Sequence, residues 1–322
     1  MAESGAAVPD DRVGEALVAV FGTSRVGHRV PLAPLTTFRT GGEADWFVET
    51  RSSAEVVRAI GLGADLNLQV TLLGGGSNVL VGERGVRGLV LRIWHGTIAL
   101  AQPGTVRAHG GVTLNGLVRW TVNRGWAGLE RWAGTPGTVG GGLHGNAHFQ
   151  GELLGAHLLR AGVVDRQGRE HTVNGTEMEF GYDASRLQRT GEAVVWAEFG
   201  VTEAEPAALR ARARESLTYR KRTQPLATPS AGCIFRNPDP VADRIPDGVP
   251  SSAGALVDRA GLKGRSVGRA VVSPVHGNFV VSDGDAAPSD IRRLVELCRT
   301  EVHDRFGIVL QDEIVYLGEF DA

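Results

Sequence analysis

One cysteine lies in the stretch of sequence with the clearest chemical potential, Pro229-Ser230-Ala231-Gly232-Cys233-Ile234-Phe235-Arg236-Asn237-Pro238. Three small residues precede the thiol, and small residues let the backbone or ring of another molecule approach closely. The cationic run Arg220-Lys221-Arg222 lies upstream, and Arg236 and Asn237 follow directly. This pattern predicts that Cys233 lies on a short buried strand and acts as a nucleophile or an acid. The alternative is a packed core cysteine.

A first glycine cluster, Leu73-Gly74-Gly75-Gly76-Ser77-Asn78-Val79-Leu80, stands between two apolar runs. Consecutive backbone N–H groups without side chains form a nest that binds anions, and a pyrophosphate is a suitable ligand. Ser77 and Asn78 add further donors. The cluster therefore predicts phosphate binding, with a flexible hairpin loop as the alternative.

A second glycine cluster runs from Gly134 to Gly142 and continues through Gly145-Asn146-Ala147. Residues 140–145 match the letters of the dinucleotide-binding pattern G-x-G-x-x-G, and Asp165 follows about 20 residues later. The context argues against a Rossmann fold, because Pro136 stands where an apolar strand is needed and Asp165 lies in a predicted hairpin turn. A loop that wraps a flat cofactor fits the cluster better. The nine histidines show no metal-ligand spacing.

The composition limits the class of protein. The chain has 322 residues, of which 42% are hydrophobic, and a net charge of −2, so no surface for nucleic acid or anionic membranes is predicted. Two cysteines, Cys233 and Cys298, suit a reducing compartment. We see no signal peptide and no apolar stretch of the ~20 residues that a membrane helix needs. A cytoplasmic protein without membrane insertion is expected, and its oligomeric state is left open.

Hydrophobic periodicity predicts an α+β chain without regular βαβα alternation. Periodicity and start signals predict helices at 54–63, 114–124, 206–222, 253–260 and 289–306. Ser53 is the predicted cap of the first of these helices. Strands are predicted at 69–73, 79–81, 88–93, 106–109, 193–200, 270–272, 278–281 and 308–317, with a hairpin over 161–173 and an extended, interrupted segment at 30–48. Residues 1–20 are predicted as a tail or short helix.

Six blocks resemble the UDP-N-acetylenolpyruvoylglucosamine reductase family. They are PLAPLTTFRTGGEADWFVE (31–49), LLGGGSNVLV (72–81), GTPGTVGG (134–141), PSAGCIFRNP (229–238), AGLKGRSVGRAVVSPVHGNFVV (260–281) and FGIVLQDEIVYLG (306–318). The resemblance implies an FAD-binding fold of the vanillyl-alcohol oxidase type in two subdomains, and a C-terminal α+β substrate domain. The implied divisions are a tail at 1–20, FAD-binding subdomains at 21–90 and 91–205, and a connector helix with the substrate domain at 206–322.

The resemblance also implies a reaction in peptidoglycan precursor synthesis. NADPH reduces non-covalently bound FAD, which passes hydride to a UDP-linked enolpyruvyl sugar, and an acid protonates the neighbouring carbon. Cys233 matches the proton donor of the family and Glu313 its catalytic glutamate; an ordinary thiol, with a pKa near ~8.5, is largely protonated at neutral pH. The cofactor-binding residues implied are Gly74, Gly75, Gly76, Ser77, Asn78, Pro136, Gly137, Thr138, Gly140, Gly141 and Asn146.

The sequence departs from the family at two positions. Asp183 stands where the family has an arginine that contacts flavin and substrate enolate, so Arg186 is the candidate replacement. Thr223 stands where a basic residue is common, so a diphosphate or the NADPH phosphate must be bound by Arg220, Lys221 or Arg222; Arg220 matches best by spacing. Arg220, Arg236 and Asn237 are the predicted substrate-binding residues.

The spacing between Gly200 and Arg220 leaves no room for the tyrosine-bearing substrate loop of some members, so the chain resembles the shorter subclass. Two other functions remain open. One is a flavin oxidase or dehydrogenase of the same fold with covalent FAD, for which His144 or His148 is the candidate attachment residue. The other is a flavin- or nucleotide-sugar-binding protein that has lost activity with Asp183.

Overall fold

The computed structural model describes residues 10–240, 243, 245, 247–249, 251–282 and 285–321. Its helices are α1 Asp10–Phe21, α2 Ser53–Asp65, α3 Leu114–Asn123, α4 Val139–His144, α5 Arg186–Thr190, α6 Pro206–Thr223, α7 Ala253–Arg259 and α8 Pro288–Phe306. Its strands are β1 Val26–Pro31, β2 Glu43–Thr50, β3 Val70–Leu73, β4 Val79–Val81, β5 Val86–Ile93, β6 Ile98–Gln102, β7 Thr105–His109, β8 Trp126–Ala127, β9 His148–Phe149, β10 Glu152–Leu153, β11 Leu158–Val164, β12 Glu170–Asn174, β13 Ala193–Gly200, β14 Thr202–Glu203, β15 Ser266–Val267, β16 Ala270–Val272, β17 Val280–Ser282 and β18 Val315–Leu317.

The chain divides into two compact units, each built from separate segments. Unit 1 comprises residues 1–30, 44–75 and 87–216, and unit 2 comprises residues 31–43, 76–86 and 217–322. The boundary falls inside the first glycine cluster, between Gly75 and Gly76, and again inside α6. The division into tail, two subdomains and substrate domain remains a prediction.

Unit 1 contains two larger sheets, besides the two-stranded pairs of β9 with β10 and of β8 with β14. The first has the order β1-β2-β5-β3, with β3 and β5 parallel, and α1 and α2 pack on it around a core that includes Leu17, Val48 and Leu89. The second has the order β12-β11-β13-β7-β6 and is antiparallel. The inward residues of this second sheet form a core with α3 and α4, because alternate side chains of a strand face the same side.

Unit 2 is smaller and combines short strands with the seven-residue helix α7 and the 19-residue helix α8. Strands β15, β16 and β17 form an antiparallel sheet, and β18 pairs in parallel with β4. Helix α8 turns Ile291, Leu294, Val295, Cys298 and Val302 into the core at helical spacing. Pro at the start of α8 and Gly307 at φ +72° after its end are the residues that begin and stop such a helix.

The structure confirms most of the predicted elements. Strands at 79–81, 193–200 and 270–272 have the predicted bounds, and the helices over 114–124, 206–222 and 289–306 differ by one residue at an end. Helix α1 begins at Asp10, and residues 1–9 lie outside the described part of the chain. No helix among the described residues is long and apolar enough to cross a membrane.

Three predictions about elements outside the Cys233 stretch are wrong. The cap of α2 is Ser52 rather than Ser53, since the Ser52 side chain accepts a hydrogen bond from the Glu55 amide. The terminal strand predicted at 308–317 covers only Val315–Leu317. The second glycine cluster is not wholly a loop, because Thr138 caps a helix that starts at Val139.

Candidate active site

Residues 232–235, here called the Cys233 segment, are held rigidly in unit 2 although they form no named strand. Gly232 adopts φ +83°, a conformation that side chains disfavour, and turns the chain just before the thiol. Ile234 and Phe235 are buried, whereas Cys233 is partly exposed. The predicted buried strand is therefore wrong in form, since the segment forms one isolated β-bridge, Phe235 with Asp312, and no continuous ladder. A reachable thiol on a fixed backbone is what an acid or nucleophile requires.

Asn278 anchors one side of this segment. Its Nδ2 donates to the Phe235 carbonyl at 2.7 Å, and its Oδ1 accepts from the Phe235 amide at 2.9 Å. Its carbonyl also accepts from the Ile234 amide at 2.9 Å. The buried amide side chain thus replaces a strand neighbour. Sequence analysis missed this residue, although it lies in the 260–281 block.

Glu313 lies on the other side of the same segment. Its backbone amide donates to the Ile234 carbonyl at 2.8 Å, and the Arg236 amide donates to the Gln311 carbonyl at 2.8 Å. Glu313 therefore pairs with the residue that directly follows Cys233. One antiparallel register fixes both predicted catalytic residues within unit 2.

Asn78 has a structural contact that the sequence did not suggest. Its Nδ2 donates to the Glu313 carbonyl at 3.0 Å, and its carbonyl accepts from the Val315 amide at 3.0 Å. This side-chain donor supports the backbone of the predicted catalytic glutamate. A role of Asn78 toward the cofactor remains a prediction.

Arg220 is the buried member of the basic run at the end of α6. Its exposed fraction is 7%, whereas Lys221 and Arg222 are exposed. Burial lowers the pKa of Arg220 to about 10, and its electrostatic interaction with Cys233 acts in the opposite direction. A guanidinium with that pKa is still charged at neutral pH. Arg220 thus interacts electrostatically with Cys233, and which residue of the basic run contacts a phosphate remains a prediction.

The other two predicted substrate-binding residues flank the segment. Arg236 is partly exposed, and its backbone belongs to the register with Gln311. Asn237 is exposed, and its Oδ1 accepts from the Ala253 amide at 3.1 Å, at the start of α7. Both side chains lie next to the rigid segment in sequence, and substrate contact by either remains a prediction.

In unit 1 the two glycine clusters lie against each other. A Cβ at Gly75 would come within 2.7 Å of the Gly137 Cα, and one at Gly74 within 2.5 Å of the Thr138 Oγ1. Glycine is therefore required at 74 and 75 by contact between the loops, a reason that differs from the predicted approach of a cofactor. Neighbouring Pro136 and Gly141 are exposed, and Gly140 and Gly141 belong to α4.

Gly76 and Ser77 fall in unit 2. Gly76 adopts φ +61°, and a Cβ there would lie 2.1 Å from the Leu35 carbonyl oxygen. Neither 72–81 nor 134–142 contains an aspartate or glutamate, and both are rich in main-chain N–H groups. This donor set fits a group that carries a diphosphate, as FAD does.

Asn146 braces a loop through its side chain. It is fully buried; its Nδ2 donates to the Gly181 carbonyl at 2.7 Å, and its Oδ1 accepts from the Gly155 amide at 2.8 Å. Both ends of the amide are thereby used within the protein. Any contribution of Asn146 to cofactor binding is, in this arrangement, through the shape of the loop rather than through its side chain.

Arg186 opens α5 and forms a two-point pair with Glu192. Its Nε and Nη2 each lie 3.0 Å from a Glu192 carboxylate oxygen, and His171 contacts the same carboxylate at 3.1 Å. Glu192 is buried, as is Asp183, the residue in place of the family arginine. Stabilisation of an enolate by Arg186 remains a prediction, and it requires the guanidinium to leave or share Glu192.

Comparison with known proteins defines the class first. The family model of an FAD binding domain matches residues 44–174, and that of a UDP-N-acetylenolpyruvoylglucosamine reductase C-terminal domain matches residues 224–317. The protein is therefore an FAD-binding oxidoreductase, and the predicted cofactor and fold class are confirmed.

Individual relatives show to which family of FAD-binding oxidoreductases the chain belongs. UDP-N-acetylenolpyruvoylglucosamine reductases from two Synechococcus strains are 35% and 38% identical, covering 93% and 90% of this chain and 93% of each relative. The crystal structure of the reductase from Thermus caldophilus has a TM-score of 0.77 and 32% identity, and the match covers 91% of this chain and 99% of that one. The chain belongs to the UDP-N-acetylenolpyruvoylglucosamine reductase family.

Proposed function

We propose that this protein reduces UDP-N-acetylenolpyruvoylglucosamine to UDP-N-acetylmuramate in peptidoglycan precursor synthesis, with NADPH as the reductant. The observation that supports this most directly is the shared register of the predicted catalytic residues, in which the Glu313 amide donates to the Ile234 carbonyl next to Cys233. FAD, when bound, supplies the hydride transfer from NADPH to the substrate.

Side chains of the protein supply the proton for the substrate carbon and stabilise the charge that develops there. The Cys233 thiol donates the proton to the carbon next to the one that receives hydride, because it is reachable and its backbone is fixed on both sides. Glu313, partly exposed on the neighbouring segment, orients a water or supports protonation at that carbon. Preorganised groups of this kind stabilise charge without having to reorganise during the reaction.

Basic and polar residues bind the substrate and the reductant. Arg220, charged and largely buried near Cys233, binds a phosphate group of the UDP-sugar or NADPH. Arg236 and Asn237 extend the substrate surface. Arg186 is the proposed cation for the enolate, in exchange with Glu192. FAD is held without a covalent bond by the glycine-rich residues 74–78 and 136–141, with Asn146 shaping the second loop.

The test is NADPH oxidation by the purified protein with and without the enolpyruvyl substrate. We expect consumption that depends on substrate, together with FAD released into the supernatant on acid denaturation. Bound FAD with no substrate-dependent oxidation would favour a flavin-binding protein without this activity. Flavin that stays attached after denaturation would favour a covalent oxidase.

A further inference from the structure

We propose that Arg299 is a positioning residue for the reaction, fixing the segment Leu310–Glu313 and thereby the direction of the Glu313 carboxylate. The inference rests on the proposed function, because that function assigns Glu313 its role. Arg299 lies in the middle of α8 and belongs to none of the sequence patterns singled out above.

The Arg299 guanidinium links α8 to this segment at two points. Its Nε donates to the Leu310 carbonyl at 3.0 Å, and its Nη2 donates to the Asp312 Oδ1 at 2.6 Å. Its Nη1 is held by Glu296, three residues earlier on the helix. One planar side chain therefore spans residues 310–312 while being fixed to its own helix. A lysine, with a single ammonium group, cannot match all three donors in that geometry.

The segment that Arg299 holds is the one paired with the Cys233 segment. Asp312 bridges Phe235, and the Arg299 guanidinium lies 5.9 Å from the centre of the Phe235 ring. Successive side chains of an extended segment point to opposite sides. Fixing the Asp312 carboxylate on the α8 side therefore directs the Glu313 carboxylate to the other side.

The ion pair between Arg299 and Asp312 also determines the charge next to Glu313. Burial raises the pKa of Asp312, and the nearby guanidinium groups of Arg299 and Arg236 act to lower it. Without Arg299, a partly buried carboxylate one residue from Glu313 would lose its closest cation. Its desolvation would then favour movement of the segment or uptake of a proton.

The experiment compares Arg299→Gln with a matched control on the same helix. Arg293 donates to the Ser289 carbonyl and to the Asp290 carboxylate, so it makes the same two kinds of contact, but only within α8, and its side chain is 65% exposed. We expect Arg299→Gln to lower kcat by about 10–100-fold with KM changed less than about threefold, as for displacement of a catalytic group. Reduction of bound FAD by NADPH should keep its rate. Arg299→Lys should recover part of kcat, and Arg293→Gln should match the wild type.

Hydrogen exchange gives a readout that does not depend on turnover. The Glu313 and Arg236 amides, both donors in the register, should exchange faster in Arg299→Gln than in Arg293→Gln. Equal kcat and equal exchange in the two variants would overturn the inference. So would an equal loss in both half-reactions together with a lowered Tm, since that indicates only a structural contact. If Arg299→Gln fails to fold, Arg299→Lys against the control carries the same comparison.

The inference and the proposed function fail differently. A wild-type protein that does not oxidise NADPH in the presence of substrate overturns the proposed function and, with it, the role of Arg299. An active wild type with an unaffected Arg299→Gln variant overturns the role of Arg299 alone.

Discussion

At the scale of single residues, Cys233 allows the two halves of the reaction to be separated. The thiol acts only when the substrate carbon is protonated, so Cys233→Ala should leave the reduction of FAD by NADPH near its normal rate. Reoxidation on addition of the enolpyruvyl substrate should fail. Cys233→Ser should keep appreciable activity, because a hydroxyl in the same place also donates a proton, though it is a weaker acid. Stopped-flow absorbance of the flavin measures both steps.

Cys298 provides the internal control for that experiment. It is buried, and burial raises its pKa to about 12, so it reacts slowly with alkylating reagents. A thiol-directed reagent should inactivate the wild type and spare Cys233→Ser. Normal reoxidation in Cys233→Ala would assign the proton to another group.

Substitution of Arg186 is expected to affect both catalysis and stability, and the two effects can be measured separately. Arg186→Ala should lower turnover by about 10²–10³-fold if the side chain stabilises the enolate. It should also lower the free energy of unfolding by about 1–3 kcal/mol, because the buried Glu192 carboxylate loses its two-point partner. Steady-state kinetics and urea unfolding measure the two effects.

The double variant Arg186→Ala, Glu192→Gln distinguishes the two roles of Arg186. It should regain stability, since the uncompensated charge is gone, without regaining turnover. Recovery of turnover with stability would show that Arg186 acts only through Glu192, and the cation for the enolate would have to be sought elsewhere.

At the scale of elements, the contact between the two glycine clusters predicts that a larger side chain at Gly75 disrupts FAD binding. Gly75→Leu must push the loop away from the Gly137 backbone, since even a Cβ would lie 2.7 Å from it. The purified variant should therefore contain little FAD, measured as flavin absorbance per protein. Gly61→Ala is the control, because a Cβ there meets only the Gln167 carbonyl at 4.0 Å and alanine favours the helix. Full flavin occupancy in Gly75→Leu would contradict the assignment of this loop.

The sequence predicted elements well where local pattern and tertiary burial agree, as in β4 and β13. It failed after Phe306, where Ile308, Leu310 and Ile314 are buried at strand-like spacing but residues 308–314 form only one bridge. Alternation reports which side chains face the core, and it does not report whether the backbone has a ladder partner.

The candidate site shows the same limit. Cys233 and Glu313 stand out in short local blocks, so the sequence was sufficient to select them. Asn146 lies at the end of the second glycine cluster, yet its side chain is committed to a carbonyl 35 residues further along the chain. The contacts of Asn278 with residues 234–235 and of Arg299 with residues 310–312 join parts of the chain that are not adjacent in sequence, and no local spacing marks either residue.

At the scale of the whole molecule, one ion pair of unit 1 predicts how stability depends on pH. Arg25 donates twice to Glu55 at 2.7 Å, and this contact lowers the pKa of Glu55 from 4.5 to about 2. A carboxylate whose pKa is lower in the folded state stabilises the protein above its unfolded pKa. That contribution is lost as the pH falls from about 4.5 through 2.

Glu55→Gln should therefore cost about 1–2 kcal/mol of unfolding free energy at pH 7 and much less at pH 2.5. Urea unfolding at the two pH values measures the difference. Arg169→Gln is the control, because its partner Asp165 lies in an exposed turn and Arg169 itself is 75% exposed. An equal loss for Glu55→Gln at both pH values would contradict the electrostatic origin of the effect.

The parallel pairing of β4 with β18 has a consequence for synthesis on the ribosome. Val79 and Val315 are partners, so β4 leaves the ribosome more than two hundred residues before the strand that completes its pairing. Ribosomes add roughly 5–20 residues per second, which leaves β4 without this partner for about 10–50 seconds. Throughout that interval an apolar Val-Leu-Val edge is available for pairing with other chains, so this edge needs protection until β18 has been made. A termination codon placed before residue 315 would make this vulnerable state permanent.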